Sequence, residues 1–481
     1  MGAACTRTVL VYGLAVSGEA TARALAARGV RVLVADDTPT DERRRISGEL
    51  GTELVEAPDL TTIERLVRSV DAVAPAPGVA ETHPLITVAL ASGVPLRTEI
   101  DLAYEWEQQR PGGPRPMIAI TGTDGKTSTT LMVESMLRAA GRRPVAVGNT
   151  EVPLIAALDD DVDVFAVECS SFRLSWLRSF RAEAAIWLNL APDHQNWHHS
   201  MASYESAKAN VWRLQRRNDV AVGSSSDPVV MRHLAAAPAR QVTFGLTGSD
   251  YRVADAMLAG PAGPFAALGS LPRQFPHDIT NALAAAAACI ESGLVQPDQI
   301  AAGVAGYRSP PHRIEPLGDH DGVGWYNDSK ATSPHAALTA IRSFESLVLI
   351  AGGRNKGLDL SILASESSRI RAVVAIGESA VEIAAAFAGR CTVLYANSMD
   401  EAVGLAAQAA RAGDAVVLSP ACASFDWYPT GGTLAGGTLA GASSAGGYPA
   451  RGDDFRRAVA AHHRSEPARA LAGIQDEDRQ Q

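Results

Sequence analysis

The sequence predicts an α/β protein of three domains, and three observations carry that expectation. Short apolar runs alternate with helix-forming segments along most of the chain, the pattern of parallel sheets covered on both faces. A glycine-rich loop at 119–130 (AITGTDGKTSTT) lies between one such run and an amphipathic segment, as a nucleotide-binding loop would. At 481 residues the chain is also too long for a single hydrophobic core.

The first block reads as a strand at 8–12, a turn at 13–18, an alanine-rich helix to about 28, and a second strand at 31–35 closed by Asp36 and Asp37. Strands at 71–74 and 94–97, with helices at 61–69 and 84–91, continue the alternation. A Pro/Gly cluster at 110–116 reads as a linker, so the first domain is expected to span 1–112. The second is expected over 113–309, with buried strands at 117–120, 164–167 and 184–188 and a helix at 279–290. The third, 310–481, carries apolar runs at 323–326, 347–351, 372–376 and 415–418, again Rossmann-like. Small residues repeat through 430–441 and read as a flexible insertion, and the polar end of the chain after 473 as a tail.

The 119–130 loop is the strongest chemical signal. Gly122 and Gly125 let backbone N–H groups turn inward on a phosphate chain, with Thr123, Asp124 and Ser128 completing the loop. The helix N-terminus adds partial positive charge, Lys126 a full one, and the Thr127 hydroxyl can ligate magnesium. The usual G-x-x-x-x-G-K-[ST] spacing would need glycine at 120, where Ile120 stands, so the loop is a shortened variant. These residues predict binding of ATP or another nucleoside triphosphate.

Other clusters sit at strand ends, where open parallel sheets place ligands. Glu168, followed by Cys169, and the pair Asp193–His194 supply hard ligands for Mg²⁺ beside a triphosphate. The histidine-rich stretch 193–199 has no cysteine spacing that would suit zinc. Gly13 and Gly18, with Asp36 beyond them, form a weakened dinucleotide fingerprint in which Ala15 replaces the middle glycine; it fits a nucleotide site and plain helix–sheet packing equally. Three loops of the third block (327–332, 351–357 and 418–425) offer Lys330, Lys356 and Ser424, suited to an anionic amino acid and a polyphosphate.

A formal charge of −10 argues against nucleic acid as a partner. No apolar run approaches the ~18–20 residues that span a bilayer, and no signal peptide is read at the start. Five scattered cysteines suit a reducing cytoplasm. A myristoylation-like start at Met1 and an Arg-Gly-Asp tripeptide at 451–453 read as chance.

Taken together, GTDGKTST, VECSSF, DH before YESAK, SPPHRIE, NDSKAT, AGGRNKG and LSPACASFD resemble the Mur ligase family, over about 8–460, and within it the branch that adds D-glutamate. The resemblance implies three domains that bind a UDP-sugar, ATP and an amino acid in turn. It implies ATP-dependent ligation of D-glutamate to UDP-N-acetylmuramoyl-L-alanine through an acyl phosphate, by a cytoplasmic monomer in cell-wall precursor synthesis. Lys126, Glu168, His194 and Lys208 are the implied catalytic set. Thr127, Glu168, His194 and a carbamylated Lys208 are the implied metal ligands. Asn281 matches an adenine contact, and Arg313, Asp328 and Lys330 match groups that close over ATP. Leu14, Ala15, Ser17, Asp36, Gly78, Asn149 and His194 are the implied UDP-substrate contacts, and Thr332, Lys356, Ser424 and Tyr448 the glutamate pocket.

Departures cluster near those sites. Asp124 and Asp278 stand where the family usually has Asn, Ala76 where it has Ser, and Thr150–Glu151 where it has Ile-Gly. Open alternatives are a related ligase using L-glutamate or another amino acid, and a non-catalytic nucleotide-binding regulator that would dispense with Lys126, Glu168 or Lys208. An NAD-dependent oxidoreductase rests on Gly13–Gly18 alone.

Overall fold

A computed structural model describes residues 8–150, 152–429 and 446–477, with side chains described through 464. The myristoylation-like start, Glu151 and the core of the glycine-rich insertion lie outside the described residues. The chain divides into two compact units at Arg308/Ser309.

Unit 1 holds two parallel sheets. The first contains β1 (Thr8–Tyr12), β2 (Arg31–Asp36), β3 (Leu54–Glu56) and β4 (Ala72–Pro75), in the order β3-β2-β1-β4. The expected strand at 94–97 is reduced to one bridge, Val73↔Leu96. Pro95 has no N–H to donate, and Thr98 already caps the next helix by accepting from the Asp101 N–H, so the extended stretch ends almost as it starts.

The second sheet contains β5 (Met117–Thr121), β6 (Pro144–Gly148), β7 (Val164–Glu168), β8 (Ala184–Trp187), β9 (Val220–Ser224) and β10 (Arg240–Phe244). Their order is β10-β9-β8-β5-β7-β6, all parallel. The chain leaves β5 toward one side and returns to β8 on the other, so the carboxyl end of β5 is the switch point where such sheets bind ligands. A small antiparallel sheet follows, β11 (Arg252–Ala254), β12 (Met257–Gly260) and β13 (Gly263–Ala267).

One apolar core runs from the first sheet (Val9, Val11, Val34) to the second (Phe165, Val167, Trp187), which is why the two form a single unit. The segment expected as a linker is pinned. Arg115 is buried, pairs with Glu107 through two hydrogen bonds (2.9 and 2.7 Å), and donates to the Leu158 carbonyl at 2.7 Å.

Unit 2 is one mixed sheet with helices: β14 (Glu315–His320), β15 (Val323–Asn327), β16 (Leu347–Gly352), β17 (Ile370–Ile376), β18 (Thr392–Ala396) and β19 (Ala415–Ala421). The order is β14-β15-β19-β16-β17-β18, with only β14 antiparallel to its neighbour. A helix at Tyr448–Glu477 follows. Among the described residues no helix is long and apolar enough to cross a membrane.

Candidate functional site

The glycine-rich loop leaves β5 at the switch point and enters the helix Lys126–Ala139. Gly125 caps that helix at φ +83°, and a Cβ there would stand 2.8 Å from the Asn281 amide oxygen, so glycine is required. Asn281 therefore lies against the loop itself. Asn189 Oδ1 accepts the N–H groups of Thr123 and Asp124, both at 2.9 Å, and the Thr123 hydroxyl contacts Tyr204 Oη at 3.1 Å. These bonds fix the loop, and the helix that begins at Lys126 opens beside it, an N-terminus of the kind that favours negative charge.

Two lysines converge on the loop. Lys126 Nζ donates to the carbonyls of Gly122 (2.9 Å) and Thr123 (2.6 Å), and Lys208 Nζ donates to the same Gly122 carbonyl at 2.6 Å. Lys208 is 1% exposed. Burial, reinforced by the Lys126 charge, drives its pKa well below the ordinary lysine value and favours the neutral amine.

Glu168 ends β7 and is 1% exposed. Its Oε1 accepts from Asn149 Nδ2 at 3.1 Å, whereas Oε2 is buried with no hydrogen-bond partner among the described residues. An acceptor so placed calls for a cation. His194 lies on the loop that follows β8, on the other side of β5, at φ +56°, edge-on to Phe172, with Nε2 3.4 Å from Asp193 Oδ2. Among the described residues no group of three or more His, Cys, Asp or Glu could hold a metal alone. Few protein oxygens beside a phosphate loop are what Mg²⁺ takes, since it draws its other ligands from phosphate and water. The remaining histidines of this stretch are structural: His198 and His199 both bond Glu81, at 2.9 and 2.8 Å.

A cavity of about 770 Å³ is formed elsewhere in unit 1 by Trp106 and its neighbours, while one of about 670 Å³ opens at the carboxyl edge of the first sheet. The latter gathers five predicted contacts: Ala15, Ser17, Asp36, Gly78 and Asn149. Leu14 and His194 do not line it. The Leu14 side chain is 2% exposed in the core, and its N–H is held by Asp36 Oδ2 at 2.7 Å. Asp36 also accepts from the Thr38 N–H and from Arg43. A Cβ on Gly18 would fall 1.7 Å from the Gly13 carbonyl oxygen, so the helix can meet the turn only through glycine. The weakened fingerprint thus serves both packing and a cavity. Arg173, which no sequence signal singled out, borders the cavity as well.

Asp278, the departure from Asn, is 2% exposed and paired with Arg273 through two hydrogen bonds of 2.9 and 3.1 Å. An extra charge has thus acquired a counter-charge. Arg273→Ala is expected to destabilise the protein by roughly 2–4 kcal/mol, because it strands a buried carboxylate. Adding Asp278→Asn should recover at least half of that loss, as measured by chemical denaturation; no recovery would mean that the pair is incidental.

In unit 2 the three predicted loops leave β15, β19 and β16, adjacent strands of the sheet, at one edge. Asp328 accepts from the Ser419 hydroxyl (2.8 Å) and the Ile314 N–H (3.2 Å). Arg313 stands between two residues of positive φ, His312 and Ile314. Lys330 Nζ donates to Tyr448 Oη at 3.1 Å, and Lys356 Nζ reaches Thr332 Oγ1 at 3.4 Å. Ser424 is 2% exposed just beyond β19. Arg451, first residue of the Arg-Gly-Asp tripeptide, is buried and donates to Ser329 Oγ (3.0 Å), the Ser329 carbonyl (2.8 Å) and the Cys422 carbonyl (3.1 Å). It ties two of the loops together, and burial lowers its pKa to about 10.

A phosphate loop at a switch point, an orphaned carboxylate oxygen beside it and a second cavity on a neighbouring sheet define a nucleotide-dependent α/β enzyme architecture. The family described as Mur ligase middle domain matches residues 120–289, and that described as Mur ligase, glutamate ligase domain, matches 312–422. The UDP-N-acetylmuramoylalanine–D-glutamate ligase of Frankia casuarinae is 40% identical over 472 residues, covering 94% of each chain. The protein of the same name from Thermobifida fusca is 37% identical, covering 95% of this chain and 98% of its own. In structure, the UDP-N-acetylmuramate-alanine ligase MurC of Thermotoga maritima shares the fold, with a TM-score of 0.54 at 18% identity over 86% of this chain and 96% of that one. The chain belongs to the Mur ligase family.

Proposed function

We propose that this protein is an ATP-dependent ligase that joins D-glutamate to UDP-N-acetylmuramoyl-L-alanine, acting on these small molecules as a cytoplasmic monomer in peptidoglycan precursor synthesis. The observation that carries this reading is the phosphate loop and the orphaned Glu168 oxygen at the edge of one sheet, in the same compact unit as the Ser17–Asn149 cavity. The relatives' names supply the substrates.

The substrate carboxylate attacks the γ-phosphorus of ATP, ADP leaves, and an acyl phosphate forms. The neutral glutamate amine then adds to the acyl carbon, the nitrogen loses a proton, and phosphate departs with the amide bond made. Lys126 and the first-turn amides hold the phosphates and offset charge on the transferring group. Thr127, Glu168, His194 and Lys208 as its carbamate would hold Mg²⁺, which supplies further charge neutralisation. Asp328 positions its loop through Ser419 and Ile314. Thr332, Lys356, Ser424 and Tyr448 offer an ammonium and hydroxyls suited to the carboxylates of glutamate.

Phosphate release in the presence of ATP, Mg²⁺ and UDP-N-acetylmuramoyl-L-alanine tests the assignment. D-glutamate is expected to support turnover at least 100-fold better than L-glutamate. Equal rates would reassign the amino acid, and no release with either would favour a nucleotide-binding regulator.

A further inference from the structure

Four side chains form one hydrogen-bonded line from the sugar-nucleotide cavity to the edge of the phosphate loop. Arg173 Nη2 donates to Ser17 Oγ at 2.6 Å, at the start of the helix Val16–Ala27. Arg173 Nη1 donates to Asn149 Oδ1 at 2.9 Å, and Asn149 Nδ2 donates to Glu168 Oε1 at 3.1 Å. Each link sets the next. A guanidinium can only donate, so the amide oxygen of Asn149 must face it, and the amide nitrogen must face Glu168. That engages Oε1 and leaves Oε2 as the orphaned oxygen.

The guanidinium is firmly seated yet borders the cavity. Arg173 is 5% exposed, and its Nε lies 3.4 Å from Glu99 Oε2, a buried carboxylate whose other oxygen accepts the Ile155 N–H at 2.7 Å. The other arginine of the cavity, Arg43, pairs with Asp36. Arg173 is therefore the cation that both meets the cavity and reaches toward the phosphate loop. A ligand oxygen competing for Ser17 or for Nη2 would move the guanidinium, and Asn149 and Glu168 with it.

We propose that Arg173 is a positioning residue that couples occupancy of the sugar-nucleotide cavity to the orientation of Glu168, so that each nucleotide strengthens binding of the other. This rests on the proposed function for the identity of the cavity's ligand. Coupling between linked sites is typically 5–150-fold and reciprocal.

Calorimetric titration with the magnesium complex of a non-hydrolysable ATP analogue, with and without saturating UDP-N-acetylmuramoyl-L-alanine, tests it without turnover. In the unaltered protein the sugar nucleotide is expected to tighten analogue binding at least fivefold. Arg173→Lys keeps the charge but not the fork that reaches both Ser17 and Asn149. At a sugar-nucleotide concentration that saturates the variant, coupling should fall below about twofold. Ser17→Ala, a change too small to threaten folding, should at least halve the coupling. Full coupling in both variants, or binding of both ligands to the unaltered protein without coupling, would overturn the relay alone. Failure of the unaltered protein to bind the sugar nucleotide would overturn the cavity assignment and the relay together.

Discussion

Lys126→Ala is expected to lower kcat for ligation by about 10²–10³-fold, the usual effect of removing one preorganised donor from developing negative charge. The Lys126 ammonium is folded back on the carbonyls of Gly122 and Thr123, next to the helix N-terminus that would receive the phosphates. Charge on the transferring phosphoryl group is what it would meet. The bonds it makes are to its own loop, and the loop is independently held by Asn189, so thermal stability should change little. The KM for the sugar nucleotide, whose cavity lies on the other sheet of the unit, should stay within about threefold. Steady-state kinetics alongside a melting curve read both. Activity within about threefold of the unaltered enzyme would remove Lys126 from the chemistry, and with it the assignment of the loop.

What the sequence disclosed is what local chemistry specifies. The strand–loop–helix at Met117–Ala139 was readable because a buried apolar run, two glycines and a helix-period segment lie within two dozen residues. The three loops of unit 2 were readable for the same reason, each following an apolar run. Arg173 was not, because its partners Ser17 and Glu99 lie 156 and 74 residues away and only the fold brings them together. Arg451 was hidden differently: a surface-like tripeptide proved to contain a buried guanidinium satisfied by a hydroxyl and two carbonyls, and nothing in composition marks an arginine that is paid in backbone oxygens. Asp278 was legible only as a departure from Asn; the fold supplies Arg273 as its partner. The run at 94–97 was apolar enough for a strand, but Pro95 and the Thr98 cap outweighed hydropathy. Periodicity finds elements, and packing decides how far they extend.

Lys208→Ala is expected to be nearly inactive and to recover in part when short-chain carboxylic acids are added. A buried lysine 1% exposed, hydrogen-bonded to a loop carbonyl and facing a second lysine, is poorly suited to carry charge. Its neutral amine can add to dissolved CO₂: the nitrogen lone pair forms the N–C bond, one N–H proton is released, and a carbamate anion results. That conversion replaces a neutral amine by an anion able to pair with Lys126 and with a bound cation. The sign of the pH effect follows. Because the folded pKa lies below the unfolded one, the unfolded chain binds the extra proton in the window between them, and folding with the neutral amine becomes less costly as pH rises through that window. Carbamylation is favoured in the same direction, since it needs the unprotonated amine. Mass spectrometry of the intact protein under native conditions should show the addition of one CO₂, absent from Lys208→Ala, while CO₂-depleted buffer should slow the unaltered enzyme more at lower pH than at higher pH. Full activity of the alanine variant in CO₂-depleted buffer would reduce Lys208 to a packing residue beneath the phosphate loop.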